Sequence, residues 1–173
     1  MAETDSRGPG AADTEFAVTR VFDAPRETVF KAWTEIGHLK NWWGPKGFAL
    51  RTCVIDLRPG GVFHYGMQPP TAGIMWGKWV FREIVAPERL VFVASFSDEA
   101  GGVARNPWVA TWPLETLSTV TFDEDGGRTT LTMRGVPLDA TEAEQATFKA
   151  GRGPMRQGWA GTLDQLASYL RKA

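Results

Sequence analysis

The chain has 173 residues, nineteen basic and twenty acidic, and a formal net charge of −1. A chain of this length builds one domain with a core of its own, and its near-neutral charge provides no general field for nucleic acid or anionic lipid. Cys53 is the single cysteine, and His38 and His64 are the two histidines, which excludes an internal disulfide and any Cys/His zinc spacing.

Residues 1–14, rich in Gly, Ala, Ser and acids, lack the apolar stretch of a secretory signal and read as a flexible tail ahead of a domain over 15–173. No apolar run reaches the roughly 18–20 residues that would cross a bilayer. The expectation is therefore a soluble cytoplasmic protein without membrane insertion, metal or cofactor.

Glu15 to Phe22 alternates polar and apolar residues and predicts a strand. Asp23-Ala24-Pro25 then starts a helix, with Pro25 in its first position and Glu27 in its first turn, running through Val29, Phe30 and Trp33. A second short helix is predicted from Ile36 to Trp43, stopped by Gly44-Pro45. The period then drops to two, predicting six strands: Phe48–Leu57, Val62–Met67, Ile74–Val85, Leu90–Phe96, Leu117–Phe122 and Thr129–Val136. Pro59-Gly60-Gly61 and Asp125-Gly126-Gly127 mark tight reversals. Ser97 to Pro113 is too long for a simple hairpin; its Trp108 and Trp112 suggest a loop folded over a pocket mouth or a partner, or a cap on the sheet.

Thr141, with Glu144 three residues on, forms a capping box for a further helix, which Gly151, Gly153 and Pro154 interrupt. Beyond the break Met155, Trp159, Leu163, Leu166 and Leu170 recur at helical spacing and predict a long amphipathic terminal helix. The order predicts an α+β fold in which a curved antiparallel sheet wraps a long C-terminal helix.

Five segments in this order resemble a known family: Phe22 to Thr34, Trp42-Trp43-Gly44-Pro45, Asp56 to Gly61, Ala86 to Val91, and Gly158 to Leu170. The chain is similar to the START-like (SRPBCC) superfamily, in the branch named for homologues of the activator of the ninety-kilodalton heat-shock protein ATPase. The resemblance implies the helix-grip fold and a cavity that in relatives takes lipids, polyketides or plant hormones. It carries no universal catalytic motif.

The cavity lining would be drawn from alternating strand residues: Phe63, Tyr65, Met67, Trp79, Phe81, Phe92, Phe96, Leu131 and Met133. Which strand parity faces inward stays open, since a one-residue slip exchanges the faces. Met155 and Trp159, placed by the helical stripe, join this pool, as do Trp108 and Trp112. His64, Asp56, Arg82, Glu83 and Arg134 are candidate polar contacts, and Trp42-Trp43 reads as a core plug or a gate. With no nucleophile elbow, phosphate loop or metal spacing, no catalytic residue is assigned. The expected function is binding of a small hydrophobic or aromatic ligand. The alternatives are a polyketide cyclase or hydrolase-like enzyme working through His64 or Glu83, and a chaperone-associated module that binds a protein through the outer sheet face or the Ser97–Pro113 loop.

Overall fold

The computed structural model of the protein describes residues 14–172, so all of the expected tail except Thr14 lies outside the described residues. Strand β1 (Phe16–Phe22) is followed by α1 (Arg26–Thr34) and the single turn α2 (Ile36–Leu39). Pro25 is the residue before α1, with extended backbone (ψ 150°), rather than its first helical position. The second helix is one turn, because Gly44, at φ +96°, and Pro45 follow too closely for it to continue through Trp43.

Then come β2 (Ala49–Ile55), β3 (Val62–Gln68), β4 (Met75–Val85), β5 (Arg89–Ser97), β6 (Val103–Ala104), β7 (Glu115–Asp125) and β8 (Arg128–Leu138). All pairings are antiparallel, in the spatial order β1-β8-β7-β5-β4-β3-β2, with β6 attached to the end of β5. Gly126 and Gly127 both have positive φ, 61° and 78°, as the two-residue turn joining β7 to β8 requires. The meander is the expected one. Strand β6 was not anticipated, because two residues are too few to show a period.

Helices α3 (Glu142–Ala150) and α4 (Arg152–Lys172) close the chain. The capping box is formed as expected: Glu144 N–H donates to Thr141 Oγ1 and Thr141 N–H to Glu144 Oε1, both at 3.1 Å. Pro154 falls in the first turn of α4, where its missing N–H leaves no helical bond unmade. Register and burial fix the concave face: Phe63, Tyr65 and Met67 on β3, Gly77, Trp79 and Phe81 on β4, Phe92, Ala94 and Phe96 on β5, Ser118, Val120 and Phe122 on β7.

Helix α4 crosses this face and is tied to the β1 edge by Arg20–Asp164 (2.5 Å), by Arg156 donating to the Ala17 carbonyl, and by the Arg156 guanidinium 5.6 Å above the Phe16 ring. Its stripe divides in two. Leu163 and Leu166 are fully buried with Trp33, Leu39, Phe122 and Leu131, whereas Met155 and Trp159, two turns earlier, only pack against that core from its edge. This is the architecture of a helix-grip fold, with packed core at one end of the sheet and open space at the other.

Candidate functional site: an aromatic cavity beneath the terminal helix

Between the N-terminal half of α4 and the sheet lies a cavity of about 710 Å³, in the range of small-molecule sites. Trp43, Tyr65, Trp79 and Phe92 form one wall, Met133, Gly135 and Ser118 another, and Phe148, Met155 and Trp159 the helical side. Pro45, Phe48, Asn106, Val109 and Trp112 also line it.

Glycines make the room. A Cβ added to Gly158, an exposed position at the cavity border, would meet nothing within 4 Å, and one added to the buried Gly135 would meet nothing closer than Ser118 Oγ at 3.5 Å. Gly77 does the opposite: its missing side chain admits the Tyr65 ring, whose hydroxyl lies 2.4 Å from where a Cβ would stand. On the convex face Trp76 covers Gly66 in the same way, so two aromatic–glycine cross-strand pairs pin the β3–β4 register from opposite sides.

Many of the ring planes bordering the cavity are near parallel. Phe92 stacks on Trp79 at 3.9 Å and 13°, Trp79 faces Trp33 at 22°, and Trp33 faces Trp159 at 12°. Trp43 stands across this set, at 86° to Trp79 and 71° to Trp159. The Trp42-Trp43 pair therefore has two parts: Trp42 is a plug, its Nε1 donating to the Ala32 carbonyl at 2.9 Å, and Trp43 is cavity wall. Among the described residues the buried indole N–H groups of Trp33 and Trp43 have no hydrogen-bond partner.

Nine of the apolar and aromatic sequence candidates border this space: Tyr65, Met67, Trp79, Phe92, Phe96, Trp112, Met133, Met155 and Trp159. Phe63 and Phe81 share the concave parity but lie deeper, sealed in the core. Two candidates lie elsewhere. His64 has the other parity and sits on the convex face, stacked on Trp76 at 5.3 Å with Nε2 donating to the Asp98 carbonyl at 3.1 Å. Trp108 is 60% exposed on the outer rim, approaching Phe96 at 6.2 Å. The loop itself splits: its far end turns inward, where Trp112 packs on Phe148 at 5.4 Å, and Arg105–Glu144 (2.6 Å) and Thr111–Thr147 (2.8 Å) fasten it to α3.

Of the four other polar candidates Arg134 alone is on the lining, and three are held in ion pairs. Asp56 pairs with Arg58 at 2.7 Å, Arg134 with Glu15 at 2.8 Å, and Glu83 with Arg89. A bulge between Phe81 and Glu83 leaves both Arg82 and Glu83 exposed, where plain alternation would have turned one inward. Of the polar side chains on the lining, Asn106, Thr116, Thr147 and Thr162 are already bonded within the protein, and Tyr65 and Ser118 behave differently. Burial pushes the Tyr65 phenol up to about 12, so it stays a neutral donor across the physiological range. Ser118 was missed from the sequence. The signal was available, because it shares parity with Val120 and Phe122 and is the polar interruption of an apolar face.

A family model described as activator of Hsp90 ATPase homolog 1-like protein matches residues 23–171. The chain belongs to that family. Among solved structures, this family member is similar to protein Ms6760 from Mycobacterium smegmatis, 27% identical with a TM-score of 0.73 and 92% of each chain covered. It is also similar to a protein from Arthrobacter aurescens, 26% identical with a TM-score of 0.74, over 99% of this chain and 94% of that one. The AHSA1 protein from Silicibacter pomeroyi, 18% identical with a TM-score of 0.67 over 91% of this chain and 97% of that one, shares the fold. No curated protein matches the chain. The family's fold is consistent with a ligand-binding or a chaperone-associated module. Among the described residues there is no helix long and apolar enough to cross a membrane and no acid, His or Cys cluster suited to a metal.

Proposed function

We propose that the protein binds a small hydrophobic or aromatic molecule in the cavity under α4. One observation carries the reading: about 710 Å³ of space, walled by tryptophan, phenylalanine and methionine, lies beside the buried hydrophobic core. Open space of this size forfeits the dispersion contacts a packed interior would make, so a fold that keeps it sacrifices stability for it. A bound molecule would restore those contacts, each Å² of apolar surface removed from water contributing about 25 cal/mol.

The cyclase or hydrolase alternative named His64 and Glu83, and neither borders the cavity. The reading keeps the protein in the cytoplasm, where the lone thiol of Cys53 stays reduced. The test is native mass spectrometry of the purified protein, followed by tryptophan fluorescence during titration with neutral aromatic and aliphatic molecules. A copurified mass, or a saturable response that the bulky Gly158→Trp variant abolishes, supports the reading. Absence of both across the library refutes it.

A further inference from the structure

The six buried polar residues point to what the cavity holds. Thr34, Ser97, Thr129 and Thr162 each donate to a backbone carbonyl, and Glu144 closes the capping box. Ser118, only 8% exposed, is the remaining one: its hydroxyl has no hydrogen-bond partner among the described residues and, unlike the sealed indole N–H groups of Trp33 and Trp43, opens onto the cavity. A hydroxyl that opens onto a cavity without a protein partner is free to hydrogen-bond a ligand. Its Oγ borders the cavity in the notch that Gly135 leaves open.

Tyr65 repeats the arrangement at the other end. Its ring is held edge-on by Trp43 at 5.2 Å and packed against Phe63 at 5.0 Å, and its hydroxyl, seated over Gly77, also lacks a protein partner among the described residues. Gly77 opposes Phe96 on β5, while Ser118 opposes Phe92, four positions along the same strand. With two strand spacings between β4 and β7, the hydroxyls stand roughly 16 Å apart along the unrolled sheet, and closer through space because the sheet curls.

Charge is missing from this space. Arg134 is the charged residue on the lining, and its guanidinium is paired with Glu15. A carboxylate or ammonium drawn into the cavity would lose its hydration with nothing to replace it. The rings that line the space, Trp43, Tyr65, Trp79, Phe92 and Trp159 among them, favour an aromatic body.

Resting on the cavity-binding reading above, we infer that the ligand is an uncharged, elongated, flat aromatic molecule with a hydrogen-bonding oxygen toward each end, held by Ser118 and Tyr65. These two residues set specificity, and the apolar walls supply most of the affinity.

A matched series separates the contributions: trans-stilbene, trans-4,4'-dihydroxystilbene and trans-stilbene-4,4'-dicarboxylate, titrated against the wild type, Ser118→Ala, Tyr65→Phe and, as a convex-face control, His64→Ala. Each cavity substitution is expected to weaken the dihydroxy compound about five- to tenfold while leaving stilbene within twofold. The dicarboxylate should bind at least about tenfold more weakly than the dihydroxy compound, and His64→Ala should change nothing. Ser118→Ala should leave the urea midpoint of the empty protein unchanged, whereas removing a hydroxyl with a structural partner would lower it. Equal binding of the dicarboxylate, or dihydroxystilbene affinity unchanged by both cavity substitutions, overturns the inference while stilbene binding leaves the cavity reading standing. If none of the three binds the wild type, both fall together.

Discussion

Replacing Gly158 by Leu tests whether the space beneath α4 is empty. In most helices buried against a sheet, adding four carbons overpacks the interface and costs about 1–3 kcal/mol. Here the opposite sign is expected, because Gly158 is exposed at the cavity border and a Cβ there meets nothing within 4 Å. Exchanging glycine for leucine inside a helix is worth about 0.8 kcal/mol in backbone propensity. The carbons beyond Cβ contribute up to about 0.8 kcal/mol each when fully buried, and about half of that after rotamer loss and partial contact. The sum is a net gain of about 1–2 kcal/mol. With a urea m-value of about 2 kcal/mol/M, the unfolding midpoint followed by tryptophan fluorescence rises by about 0.5–1 M. The same leucine occupies ligand volume, so stilbene affinity falls as stability rises. A loss of more than about 1 kcal/mol would show that the position is already packed and would refute the open cavity.

Three further outcomes follow from particular groups. Tyr65 ionises near 10 when unfolded and is pushed up to about 12 by burial. The stability it contributes is therefore complete below pH 10 and lost as pH rises from about 10 to 12; compared with Tyr65→Phe, the wild type should lose on the order of 2 kcal/mol across that window in alkaline urea titrations. Equal pH slopes for the two proteins would contradict the burial of the phenol. Burial likewise raises the Cys53 thiol to about 11, leaving about 0.1% thiolate at pH 8 against about 10% for an ordinary thiol, so iodoacetamide should modify the native protein about a hundredfold more slowly than the urea-unfolded chain. Equal rates would place the thiol in water. The Tyr169 hydroxyl, 2.6 Å from His38 Nδ1, joins the last turns of α4 to α2, and Tyr169→Phe should lower stability by about 1 kcal/mol, with no change in ligand affinity at a site remote from it.

The fold was legible because its signals are local and repeated. Thr141 and Glu144 announce the start of α3, paired glycines at 126 and 127 announce the last hairpin, and the spacing from Met155 to Leu170 announces α4. The family resemblance rests on short segments that each sit at a turn or helix end. The site was only half legible. Alternation proposes two faces for each strand without choosing between them, so the side chains of His64 and Tyr65, neighbours in sequence, were both candidates although they point to opposite sides of the sheet. The stripe on α4 named Met155 and Trp159 correctly as inward-facing, but could not say that they border space while Leu163 and Leu166 border core. That division depends on how far the sheet curls away from the helix. The bulge at Arg82 and the inward turn of Trp112 beside an exposed Trp108 are likewise tertiary outcomes, carried by register and by contacts with α3 rather than by local sequence.

The most direct test of the cavity as a binding site reads all eight tryptophans separately. In a nitrogen-15 spectrum of the indole N–H groups, assigned by substitution, titration with trans-4,4'-dihydroxystilbene should shift Trp79, Trp112 and Trp159 saturably and together, leaving the core Trp42 and the exposed Trp108 in place. Shifts centred on Trp108, or no saturable shift at Trp79 and Trp159, would contradict the account.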